Sequence, residues 1–343
     1  MFSNTFKKLS LVSVLALGLL MPEMGQARGT RRQRAVYAPA TSAVVNAPAP
    51  AVAQPAAPSV SALKENFAIE RGRARLARMS QQDAQRFQAL LQHASTVQER
   101  MYLVKTLAVG YPMATVEKFA GIIHGKSSAW MEDMLRLTNS SKRLGVKQQW
   151  STACGPTTVQ ALLGELDPIY AYRVHVENPN FYRVDEKDAM KMNPRLAKEQ
   201  KTLLESADYH GAKGKAVSRS TNGGVGRTID DLLNKISRHT GVTYKWMQQG
   251  KDYPTSRAMN DLDWALVKGV PVPVLVRTPD NSNRHFVLAT GVYRENGQKV
   301  YVLHDPWTGQ TVRRTAQQFT SGTLNLAGNN VFHGILRPSL LPL

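Results

Sequence analysis

The sequence predicts an α+β fold: a helix carrying a lone cysteine packs on an antiparallel sheet carrying a histidine and an aspartate, behind an all-helical N-terminal region. Three observations predict it. The only cysteine of the 343 residues, Cys154, stands where a loop of small polar residues turns into an apolar run with helical spacing. Downstream, His285 to Tyr293 and Lys299 to Asp305 read as strands joined by Glu295-Asn296-Gly297, and Asn-Gly is a strong hairpin signal. Upstream, residues 61–140 carry repeated helix-start signals and apolar faces at helical spacing.

At the N-terminus, Lys7-Lys8 precede a mostly apolar run from Leu9 to Met21, and Gly25-Gln26-Ala27 offers small residues for cleavage. This predicts a signal peptide over residues 1–27 and a secreted or periplasmic product. The apolar run is too short to cross a bilayer, so no transmembrane segment is expected. Residues 28–60 read as a linker, with basic Arg28 to Arg34 followed by a stretch of Ala, Pro, Val, Ser and Thr that cannot bury enough apolar surface to order itself. The formal charge of +19 would attract an anionic surface. No zinc-finger, helix-turn-helix or RNA-binding signature accompanies that charge, so no specific nucleic-acid partner is expected.

Within residues 61–140, Ser80 with Asp83 and Thr96 with Glu99 resemble helix-start boxes. Phe87, Leu90, Leu91 and Ala94 form one apolar face, and Leu103, Val104 and Leu107 another. Shorter helices are expected from Thr115 to Ile123 and from Ser128 to Leu137, giving four or five in all. Their role is open between a prodomain that occludes a cleft, a docking module and an extension packed on the rest. Nothing in them has catalytic spacing.

Residues 141–343 then form the predicted catalytic domain. The Cys154 helix should end near Gly164, with a polar segment from 170 to about 227 that contains a helix from Pro194 to Ser206. Asn222 to Gly226 reads as a flexible loop, since it lacks the lysine of a phosphate-binding loop. Thr228 is expected to cap a helix with Ile229, Leu232, Leu233 and Ile236 on one face, followed by a strand from Val242 to Trp246. A helix from Leu262 to Val267 precedes Val270 to Val276, a strand whose prolines place it near a sheet edge, and a last strand should span Val331 to Leu336.

The chemistry concentrates on Cys154. A helix N-terminus favours thiolate over thiol, and thiolate is the form that attacks a carbonyl carbon. An exported chain with one cysteine has no internal disulfide to form, and an idle thiol in an oxidising compartment is a liability. Six residues earlier, Gln148 offers a side-chain amide that, with the Cys154 N–H, would make an oxyanion hole. A thiolate also needs a base, and the base an orienting partner. Of the eight histidines, His285 opens a strand directly after a polar loop, and Asp305 ends the strand paired with it, which makes the two neighbours. His304 adjoins Asp305 and should point to the opposite face; His333 has no acidic residue near it in sequence.

Gln148 with Cys154-Gly155-Pro156, the His285 to Val292 strand and Asp305-Pro306 together resemble the papain-like cysteine peptidase superfamily, nearest its bacterial, bacteriocin-processing (double-glycine) peptidase-like branch. The resemblance covers roughly residues 145–320. It implies a papain-like core, Gln148 as oxyanion donor with Gln149 as a fallback, Cys154 as nucleophile, His285 as base then acid and Asp305 as its orienting residue. Trp307 would shield the His/Asp pair, as a tryptophan does in some papain relatives. Peptidases of that branch are usually fused to membrane-spanning transporter domains, and this chain shows none, so cleavage after two glycines is not implied. The expected function is an exported thiol hydrolase acting on peptide or isopeptide bonds through an acyl-enzyme, with a peptide or protein as partner and no metal or organic cofactor. An acyltransferase or transglutaminase-like enzyme using the same residues is one alternative; a non-catalytic peptide-binding domain and a basic adhesion protein are others.

Overall fold

The computed structural model describes residues 66–138, 143–151, 153–178, 193–205 and 225–342. The expected signal peptide, the linker, and most of the polar stretch before Val225 lie outside these residues. All described residues belong to one compact unit, Pro55–Leu343.

Five helices come first: α1 (Phe67–Leu76), α2 (Gln81–His93), α3 (Val97–Val109), α4 (Met113–Ile123) and α5 (Ser128–Met134). Their starts follow local chemistry. The side chains of Asn66, Ser80, Thr96 and Ser127 each accept a hydrogen bond from a first-turn amide. Gly110 ends α3 in the left-handed region at φ 110°, as a helix C-terminus often requires. Phe87, Leu103, Leu107, Val116, Phe119 and Met131 close a core of their own.

Helices α6 (Cys154–Leu166), α7 (Pro168–Glu177), α8 (Pro194–Glu205), α9 (Val225–Ser237), α10 (Thr255–Val267) and α11 (Ala316–Ser321) accompany a six-stranded antiparallel sheet. The strands are β1 (Val242–Gln248), β2 (Val272–Arg277), β3 (Arg284–Glu295), β4 (Gln298–Asp305), β5 (Gln310–Thr315) and β6 (Val331–Leu340), in the order β1-β6-β2-β3-β4-β5. Asn296 and Gly297 both take positive φ, 49° and 76°, so the β3–β4 hairpin turns as the sequence predicts. Val159 and Leu162 of α6 share one core with Val274, Phe286 and Leu288 of the sheet. This is an α+β fold with a helical N-terminal region, consistent with a papain-like core.

Several local expectations change. β2 is an interior strand between β6 and β3. Pro271 precedes it, and Pro273 lies where β6 does not yet pair, since that ladder starts at Val274↔Ile335; the missing N–H therefore falls outside it. Helix α9 spans Val225–Ser237, so Thr228 lies inside it, and Val225 and Gly226 are helical. A first-turn glycine is tolerated because amides there have no intrahelical partner to lose. β6 runs on to Leu340 because β1 pairs with it through Val242↔Leu340, a partner that the sequence of β6 does not reveal.

The five-helix layer docks on α6 at the end away from Cys154. The Tyr111 hydroxyl donates to Asp167 Oδ2 at 2.7 Å, the Thr138 hydroxyl to Glu165 Oε1 at 2.6 Å, and Arg136 pairs with Glu165 at 3.1 Å. Lys105 donates to the Glu165 carbonyl. Thirteen helical residues put roughly 18 Å between these contacts and the sulfur.

Candidate active site

Helix α6 begins without a side-chain cap. Its N-cap position is Ala153, which offers no side-chain oxygen to the first-turn amides, whereas most of the other helices recruit one. Those amides and the positive end of the helix dipole are left beside Cys154, the first residue of the helix. Pro156 occupies the third helical position, where its missing N–H costs nothing because the first-turn amides have no intrahelical partner. The helix is fastened to the strand bearing His285 by the Thr158 hydroxyl, which donates to the Phe286 carbonyl at 3.3 Å.

Cys154 is partly exposed and unpaired. Burial alone would push its thiol up. The hydrogen bond and charge of His285, with the backbone amides of Phe286 and Gly155, outweigh that and hold it below its ordinary range. The Phe286 amide is a contributor with no signature in the sequence.

His285 and Asp305 are both buried, and His285 Nε2 donates to Asp305 Oδ1 at 2.7 Å. With Nε2 committed to the carboxylate, Nδ1 is the nitrogen left for the sulfur. Burial opposes the imidazolium, but the bonds and charges of Asp305 and Cys154 raise the His285 value to about 9. Burial likewise opposes the Asp305 carboxylate, and His285 together with the Trp307 amide, which donates to Oδ1 at 2.9 Å, keeps it below its usual range. The Trp307 backbone thus steadies the carboxylate while its side chain is about half exposed.

The other candidates separate. His304 is fully buried, its Nε2 donates to the Val146 carbonyl at 3.0 Å, and burial lowers it to about 4, so it is a neutral brace between β4 and the loop before Gln148. His333 sits near Trp246, lowered to about 4 by burial and by Arg284 and Arg277. Gln148 lies on the loop leading to Cys154, but its Nε2 donates to the carbonyls of Trp150 at 2.9 Å and Ser151 at 3.1 Å. Gln149, the fallback, spends its side chain on the Lys147 carbonyl and the Asn193 amide. Among the described residues no cluster of three His, Cys, Asp or Glu side chains is placed to hold a metal, and no helix is long and apolar enough to cross a membrane.

A cysteine at an uncapped helix start, an imidazole beside it and a carboxylate on the far ring nitrogen can together carry out nucleophilic attack on a carbonyl. No curated protein and no solved structure matches the chain. Residues 143–325, which include Gln148, Cys154, His285 and Asp305, match the model of the Peptidase_C39 like family. That match spans more than half of the sequence, and the chain belongs to the Peptidase_C39 like family.

Proposed function

We propose that this chain is an exported cysteine peptidase that hydrolyses peptide or isopeptide bonds through an acyl-enzyme on Cys154. The family supports a peptidase of the cysteine type. The observation that carries the finer reading is the chain of contacts from Cys154 through His285 to Asp305, set at the uncapped start of α6. The Cys154 thiolate attacks the scissile carbonyl carbon, and the oxyanion that forms is met by the Cys154 N–H and the Gln148 amide, one of whose hydrogens turns from its loop carbonyl. His285 hands its Nδ1 proton to the leaving amine, which departs as the acyl-enzyme forms. Water then enters, gives its proton back to His285 and releases the acid. Asp305 holds the ring in the tautomer and orientation both steps need.

Within the family, we read the Gln148, Cys154, His285 and Asp305 motif as similar to that of the bacteriocin-processing branch, without a requirement for two glycines before the cut bond. Export rests on the Lys7-Lys8 and Leu9 to Met21 pattern, and contact with an anionic surface on the basic charge. Residues 61–140 serve as an accessory layer, a role their docking at the C-terminal end of α6 favours.

Incubation of the protein lacking residues 1–27 with a peptide library, beside a Cys154→Ala control and read by mass spectrometry, tests the reading. Cleavage products with wild type alone are expected; equal cleavage by both would end the assignment. A parallel arm with an added primary amine distinguishes hydrolysis from acyl transfer by the mass of the product.

A further inference from the structure

Gln200 is fully buried on α8. Helix α8 starts from Asn193, whose Oδ1 accepts from the amides of Arg195 and Leu196 at 3.1 Å each, with Pro194 at the first helical position. The helix presents the Gln200 carboxamide to the backbone on both sides of Gln148. Its Oε1 accepts from the Gln149 N–H at 3.1 Å, and its Nε2 donates to the Lys147 carbonyl at 3.0 Å. The same Nε2 donates to Gln160 Oε1 at 3.1 Å, and Gln160 is a buried residue of the helix that begins with Cys154. One carboxamide therefore ties the Gln148 loop to the body of the nucleophile's helix. A second tie comes from the hairpin: the Gln148 N–H donates to the Pro306 carbonyl at 2.8 Å, next to Asp305.

An oxyanion donor must be held within a fraction of an ångström of where charge develops, and a loop alone does not do this. We infer that Gln200 is a positioning residue for the reaction, fixing the loop that carries Gln148 against the helix that carries Cys154. The inference rests on the proposed roles of Cys154 and Gln148. Gln200 touches neither substrate nor sulfur in this role; it acts through Gln148. Gln149 supports the same arrangement from the side, its Nε2 donating to the Lys147 carbonyl and its Oε1 accepting from Asn193.

The test is a double-mutant cycle in full-length protein processed as the wild type is, with Gln200→Met, Gln148→Ala and both together. Gln200→Met keeps volume and removes all three hydrogen bonds. Its kcat should fall at least tenfold with KM changed less than threefold, while the rate of Cys154 alkylation by iodoacetamide stays within twofold of wild type. In the Gln148→Ala background the same substitution should cost less than threefold. A loss of equal size in both backgrounds, a parallel fall in alkylation, or an unchanged kcat would each overturn the inference while leaving the peptidase reading intact. Should Gln200→Met fail to fold, Gln160→Leu, which removes the acceptor anchoring Gln200 to α6, must show the same dependence on Gln148, and an equal effect in both backgrounds would overturn the inference. Absence of Cys154-dependent turnover in wild type would remove the reading and the inference together.

Discussion

His285 and Asp305 share a face of the β3–β4 hairpin because Thr290 is one residue too many. From the turn, the register runs Glu295↔Gln298 to Gly291↔Val302, then resumes at Ala289↔Leu303 and Leu288↔His304 with Thr290 left out of the ladder. Without that bulge Asp305 would stand opposite Leu288 and its side chain would leave on the face away from His285. With it, the register carried one step past Leu288↔His304 sets Val287 opposite Asp305, and His285 lies two residues along the same face, a diagonal neighbour within reach of the 2.7 Å bond.

Asp305→Asn should retain an acceptor for His285 Nε2 and lose the charge. Its contribution to holding His285 near 9 then disappears, so the alkaline limb of kcat/KM should move to lower pH. Asp305→Ala should do this and also free the ring, lowering kcat/KM by about 10²-fold. A pH–rate profile of the three proteins measures both effects.

Cys154 should alkylate along an acid limb set by its pairing with His285. The acid limb lies below the ordinary thiol range because His285 favours thiolate, and the imidazolium is lost as pH rises through about 9. In His285→Ala the main opposition to burial is gone, so the alkylation limb should move up in pH. Iodoacetamide rates from pH 4 to 10 follow the shift directly.

Gln148→Ala should lower kcat by about 10²-fold and leave Cys154 alkylation unchanged, since alkylation develops no oxyanion. Steady-state kinetics and alkylation on one preparation separate the two.

Glu165 should tie stability to pH. Burial opposes its charge, but Arg136, Lys105 and the Thr138 hydroxyl more than compensate and keep its carboxyl below the usual range. A depressed carboxylate contributes stability above its unfolded value, and that contribution is lost as pH falls through the lower, folded value. Glu165→Gln should flatten this acid slope. Arg136→Met, which leaves the buried carboxylate short of its main partner, should cost about 3 kcal/mol in denaturant unfolding at neutral pH with little change in Cys154 alkylation.

What the sequence reveals of this molecule is local. Ser80 and Thr96 announce their helices because a cap bonds within three residues, and Asn296-Gly297 announces its hairpin because the turn lies in the two residues themselves. Cys154, His285 and Asp305 are legible as candidates because single-copy chemistry, a helix start and a hairpin coincide. The Thr290 bulge is not, since a ladder skips a residue according to what the neighbouring strand demands. β5 and α11 are marked more weakly, Gln310 to Thr315 being polar and half-covered and Ala316 to Ser321 short. The direction of the Gln148 amide and the reach of Gln200 are set by contacts across more than 50 residues of sequence or by loop conformation, which no spacing rule encodes.

The helical layer grips α6 by its tail, and this decides what cutting it away could achieve. Cutting it away would strip Tyr111, Lys105 and Arg136 from Asp167 and Glu165, contacts that lie at the end of α6 opposite Cys154. Its removal is therefore expected to cost stability through the buried Glu165 and Asp167, which denaturant unfolding of the trimmed protein would measure.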